Sequence, residues 1–143
     1  MLKKFQASNF QGNCVVDEDF IPTLEKINNL AIKHNIIIIV TSSYRKDANV
    51  RGAIVTPSKK SNHMIGQAID FNLKNSKTGE YFNSTKLADD KGLDEIFMQE
   101  VAKETGVRWG DSFSVKDSVH IDTGLNVSNP VKWQQKYNKI HGV

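Results

Sequence analysis

Five consecutive β-branched residues, Ile36-Ile37-Ile38-Ile39-Val40, constrain this chain more than any other stretch. Branching at Cβ narrows side-chain freedom and favours extended backbone, and the run is too short and too uniform for an amphipathic helix. It predicts a strand covered on both faces. Just upstream, Phe20, Leu24, Ile27 and Ala31 recur at helical spacing around Pro22, with Asp19 as the expected N-cap and Asn35 as the stop. A helix that feeds directly into a buried strand calls for a layered structure, and Thr41-Ser42-Ser43-Tyr44-Arg45 is then the exit of that strand.

Other segments fill in the layers. Gln67 to Leu73 alternates, with Ile69, Phe71 and Leu73 on one side and Ala68, Asp70 and Asn72 on the other. Val119-His120-Ile121-Asp122 alternates too, placing His120 on the face of Ser118 and Asp122. Val107 to Gly110 is a further short strand. Lys74 to Asp90 reads as a loop, followed by a helix from near Asp90 with Leu93, Ile96, Phe97 and Val101 as its stripe and Gly106 as its stop. Asn129 and Pro130 open a last helix whose buried stripe is Trp133, Tyr137 and Ile140. Without strict β-α alternation, the expected class is α+β: one domain over residues 1–143, with a small antiparallel sheet, helices packed on one face and a polar cleft on the other.

Composition narrows the chemistry. The one cysteine, Cys14, excludes an internal disulfide and a thiolate metal site, so any metal must be held by histidine and carboxylate. No apolar run of about 18 residues exists to insert into a membrane. The opening Met1 to Asn9 turns polar at once and lacks a secretory signal, so a substrate outside the cytoplasm implies delivery by a phage-type or dedicated export route. A net charge of +3 is a small excess. Lys132, Lys136 and Lys139 alternate with buried aromatics and read as a solvated face, which argues against nucleic-acid binding. A monomer is expected.

The chemistry concentrates in two motifs. Ser61-Asn62-His63-Met64-Ile65-Gly66-Gln67-Ala68-Ile69-Asp70 has the form Ser-x-His-x-x-Gly-x-Ala-x-Asp, and Asp117-Ser118-Val119-His120 has the form acid-x-x-His. A chance match to the full first pattern is on the order of one in ten thousand at these residue frequencies. Together the motifs resemble the zinc D-alanyl-D-alanine carboxypeptidase and L-alanyl-D-glutamate endopeptidase family, which includes phage endolysins and vancomycin-resistance D,D-dipeptidases.

That resemblance implies Zn²⁺ held by His63, Asp70 and His120, with Asp117 as the base that activates water, although many relatives carry Glu there. On a straight strand Asp117 and His120 would face opposite ways, so the role needs a bend before Val119; Asp111 is the alternative base. Arg45, in Ser-x-Tyr-Arg, is similar to the family's anchor for substrate carboxylate or oxyanion. Ser61 and Trp109 are further candidates for substrate contact. The implied activity is hydrolysis of an amide bond in the peptide stem of peptidoglycan, either D-Ala-D-Ala or L-Ala-D-Glu. The alternative is a zinc-containing binding or structural module that has lost hydrolysis.

Overall fold

The chain runs β1 (Leu2–Lys4), β2 (Phe10–Gln11), β3 (Val15–Asp17), α1 (Ile21–His34), β4 (Ile36–Ser42), β5 (Ala68–Asn75), β6 (Tyr81–Phe82), α2 (Ser84–Asp89), α3 (Leu93–Lys103), β7 (Arg108–Trp109), β8 (His120–Asp122), α4 (Leu125–Ser128) and α5 (Pro130–His141) in the computed structural model, which describes residues 1–47, 60–89 and 93–142. The fold is α+β. Asn35 ends α1 in the left-handed conformation, φ 57°, which Asn tolerates better than most residues, and so delivers the chain straight into β4.

The main sheet has the order β2-β4-β5-β8-β7. Its pairs are antiparallel except β2 with β4, which run parallel, so the sheet is mixed rather than wholly antiparallel. β5 is the longest strand and the centre: β4 holds one edge, while β8 and β6 share the other. β1 and β3 form a separate small ribbon.

Ile36, Ile38 and Val40 are buried with Ile69, Phe71, Leu73 and Ile121 against α1 and α3, whose Leu24, Ile27, Ala31, Phe97, Met98 and Val101 complete the core. Each of these side chains larger than alanine contributes about 1.5–3 kcal/mol by leaving water. Ile37 and Ile39 are only half-buried, so the second face of β4 is less covered than its sequence predicts. A second cluster, Met64, Ile65 and Trp133 with Leu125, Tyr137 and Ile140, seats α5 on the turn at residues 62–65.

Several expectations are corrected. The Lys74–Asp90 stretch contains the end of β5, β6 and α2 rather than one loop. Asp19 does not cap α1; it lies in a 3-10 turn, Glu18–Phe20, and its carboxylate accepts from Lys136. On α3, Ile96 is 49% exposed and Met98 takes its place in the core. The expected start of that helix at Asp90 lies outside the described residues. Among the described residues, no helix is long and apolar enough to cross a membrane.

Candidate metal centre

Asp70 and His120 meet because they are directly opposed in the β5–β8 ladder. Cross-strand neighbours on one face of an antiparallel pair lie within side-chain reach. Here Asp70 Oδ1 is 2.9 Å from His120 Nδ1. His63 comes from the 3-10 turn Asn62–Ile65, whose first residues are held by Ser61: its hydroxyl accepts the His63 N–H at 3.2 Å. Gly66 closes the turn at φ 72°, and a Cβ there would lie 2.5 Å from the Asp17 nitrogen, so only glycine fits. This path leaves His63 Nε2 3.2 Å from Asp70 Oδ1.

His63, Asp70 and His120 thus offer three ligand atoms within 4.8 Å of one another. Atoms bound tetrahedrally at the usual zinc distances of about 2.0–2.1 Å stand about 3.3 Å apart. The two separations just given are close to that.

The protonation pattern fits a cation as well. His63 Nδ1 lies 2.7 Å from the Ser43 carbonyl, which can only accept, so Nδ1 carries the proton and Nε2 presents a bare lone pair. That Nε2 is buried without a hydrogen-bond partner and faces a carboxylate oxygen, two acceptors opposed. Such an arrangement is unfavourable unless something positive lies between them.

His120 Nε2 donates to Asp122 Oδ2 at 2.7 Å, which turns Nδ1 toward Asp70. Burial works against charge on His120, yet Asp122 and Asp70 together hold its pKa up to about 9. Burial opposes ionisation of Asp70 likewise, but the hydrogen bond from His120 and the proximity of the His63 ring keep its carboxyl well below the usual range. A metal ion at this site would take the place of the His120 Nδ1 proton.

The supports of His120 were not picked out from the sequence. Asp122, 2% exposed, accepts from Arg108 Nε and Nη2 at 2.9 Å each and from the Gly124 N–H at 2.7 Å. The Arg108 guanidinium also sits over the Phe113 ring, which leans on the His120 imidazole with centroids 5.7 Å apart. A carboxylate behind a ligating histidine fixes its tautomer and orientation. The His-x-Asp alternation in β8 was the available signal.

The remaining candidates divide. The chain does bend before β8: the His120 N–H bonds back to the Asp117 carbonyl at 3.3 Å, a turn that removes the strand-face objection to Asp117. Burial raises the Asp117 pKa, the Asp70 charge raises it further, and His120 and His63 oppose, so its carboxyl lies within the field of all three candidate ligands. Asp111 is committed elsewhere, to the Ser118 hydroxyl at 2.8 Å and Lys116 at 3.2 Å.

Arg45 brings Nη1 to 3.6 Å from Asp70 Oδ2, too far for a hydrogen bond, and its buried Nε has no partner. Ser61 is buried, and the bond the structure shows for its hydroxyl is the one to the His63 turn. Trp109 is half-buried; its Nε1 donates to the Ser118 carbonyl at 2.9 Å, and its ring packs on the core. Gly110 accepts the Asp117 N–H at 2.8 Å, and a Cβ on it would come within 2.2 Å of the Asp117 carbonyl oxygen.

Comparison with known families meets this geometry. Residues 55–123 match the D-alanyl-D-alanine carboxypeptidase family. The matched span contains His63, Asp70, Asp117 and His120; Arg45 lies outside it. No curated protein matches the chain.

Proposed function

We propose that the chain is a zinc-dependent peptidase that hydrolyses an amide bond in the peptide stem of bacterial peptidoglycan. The observation that carries this is the opposition of the bare His63 Nε2 lone pair and the Asp70 carboxylate, with His120 Nδ1 beside them, inside a family match to D-alanyl-D-alanine carboxypeptidases. Zn²⁺ held by His63, Asp70 and His120 would supply Lewis acidity and a more acidic water at neutral pH. Asp117, whose carboxyl is pushed above its usual range, takes the proton of the attacking water and passes it to the departing amine nitrogen. Arg45, whose Nη1 lies 3.6 Å from Asp70 Oδ2 and whose buried Nε has no hydrogen-bond partner, holds a substrate carboxylate or the developing oxyanion.

The direct experiment is digestion of purified peptidoglycan by zinc-loaded protein, with and without a chelator, followed by mass spectrometry of the new termini. Released D-Ala marks a carboxypeptidase; new D-Glu amino termini mark an endopeptidase. Absence of any new terminus with the zinc-loaded protein would refute the proposal.

A further inference from the structure

The His63 turn and the chain leaving β8 are joined by side-chain amides at positions the ligand motifs leave unspecified, Asn62 and Gln67 buried and Asn126 half-buried. Asn62, 2% exposed, donates from Nδ2 to Asn126 Oδ1 at 3.0 Å and accepts the Asn126 backbone N–H on its own Oδ1 at 3.1 Å. Asn126 Nδ2 donates in turn to the Lys60 carbonyl at 2.9 Å. On the other side of His63, the Gln67 carbonyl accepts the Thr123 N–H at 3.2 Å, and Gln67 Oε1 accepts the Thr123 hydroxyl at 2.7 Å. Residues 123–126 follow His120 by three to six positions, so one short segment grips the His63 turn at both ends.

We infer that Asn62 and Asn126 are positioning residues, a reciprocal amide pair that fixes His63 relative to His120 and thereby sets the affinity of the metal centre. The physical reason lies in how His63 is supported. Asp70 and His120 are locked by the β5–β8 ladder, whereas His63 sits on a four-residue 3-10 turn outside the sheet. A turn that short contributes few bonds of its own, and its register against the chain leaving β8 comes from one backbone bond, Thr123 N–H to the Gln67 carbonyl, together with these side chains. A side-chain amide is neutral and donates and accepts through two separate atoms, so a pair joined in both directions specifies distance and orientation together. Gln67 performs a related task one turn later, and its Nε2 also reaches Asp17 Oδ2 at 2.7 Å.

The inference rests on the metal reading above, and its test separates the two. Zinc affinity of wild type, Asn126→Ala and Asn126→Asp is measured by competition with a chromophoric chelator, alongside the visible spectrum of the Co²⁺ forms and thermal melts of the metal-free proteins. Asn126→Ala removes both side-chain bonds and is expected to weaken zinc binding about 10-fold to 100-fold, as loss of outer-shell partners does. It should also alter the Co²⁺ spectrum while the metal-free protein remains folded. Asn126→Asp keeps the acceptor for Asn62 and loses the donor to Lys60, so its affinity should fall between the two. If Asn126→Ala fails to fold, Asn126→Asp carries the test against wild type. Zinc affinity and Co²⁺ spectrum equal to wild type in the folded variant would overturn the inference, leaving the pair as packing alone. A wild-type protein that takes up no zinc would instead overturn the metal reading.

Discussion

Replacing Asp122 by Asn exchanges one oxygen for an NH₂ group and leaves the volume almost unchanged, yet four donors converge on the two oxygens it alters. Oδ1 accepts Arg108 Nε and the Gly124 N–H; Oδ2 accepts Arg108 Nη2 and His120 Nε2. Whichever oxygen becomes nitrogen, two donors then face a third. The least costly escape is for His120 to give up its Nε2 proton and keep the one on Nδ1, the nitrogen that faces Asp70. That tautomer closes the position through which His120 would bind metal. Hydrogen bonds to a charged group contribute about 1.5–3 kcal/mol each. The Arg108 side chain is 35% exposed, so water recovers part of its loss. Discounting for that screening, Asp122→Asn should cost about 2–4 kcal/mol of folding stability. It should also weaken zinc binding about 10-fold to 100-fold. Urea unfolding of the metal-free protein reads the first and chelator competition the second. A variant with unchanged midpoint and unchanged zinc affinity would refute both the donor count and the orienting role of Asp122.

Asp117→Asn should keep fold and zinc content while lowering turnover about 10²-fold to 10⁴-fold, measured as peptide-bond hydrolysis beside metal analysis; Asp117→Glu should retain measurable activity. Arg45→Ala should reduce hydrolysis by about 10²-fold or more at unchanged zinc content, and Arg45→Lys should restore it only in part because the planar fork is gone. Asp17 supplies the pH dependence. Burial alone would raise its carboxyl, but hydrogen bonds from Lys136 and Gln67 outweigh it and hold the pKa below its usual value. The resulting stability is present in full above the ordinary carboxylate range, about 4, and is lost as pH falls through the lowered folded value. Acid titration followed by circular dichroism should therefore show a shallower loss of stability in Asp17→Asn than in wild type.

Where the sequence was informative, local physics decided the outcome. The β-branched run became β4, Asn35 stopped α1, and Asn129 caps α5 by accepting the Lys132 N–H at 3.1 Å. The short helix α2 escaped because six residues cannot display a period, and Leu87 is the one large apolar residue among them. Ile96 and Met98 flank Phe97, so small rotations of the helix decide which is covered, and contact with α1 and the sheet settles it. The ligand types and their spacing were legible in the motifs. Their convergence was not, since it depends on the register that sets Asp70 opposite His120. The support of His120 is likewise non-local: Asp122 is partnered by Arg108 across the β7–β8 pair, a relation that no window of sequence contains.

Gly110 has a consequence for the rate of the proposed reaction beyond its part in the stability of the fold. A base carried on a loop ordinarily has to be collected from many conformations each time a substrate arrives, and that search adds to the barrier. Here the Asp117 backbone rests against the bare α-carbon of Gly110, its N–H bound to the glycine carbonyl and the neighbouring Ser118 carbonyl bound to Trp109. Asp117, the proposed base, is therefore set in place by a missing atom seven positions earlier in the chain. Adding even a methyl group at residue 110 would push the Asp117 carbonyl away, displacing the proposed proton acceptor while the other proposed site residues stayed the same.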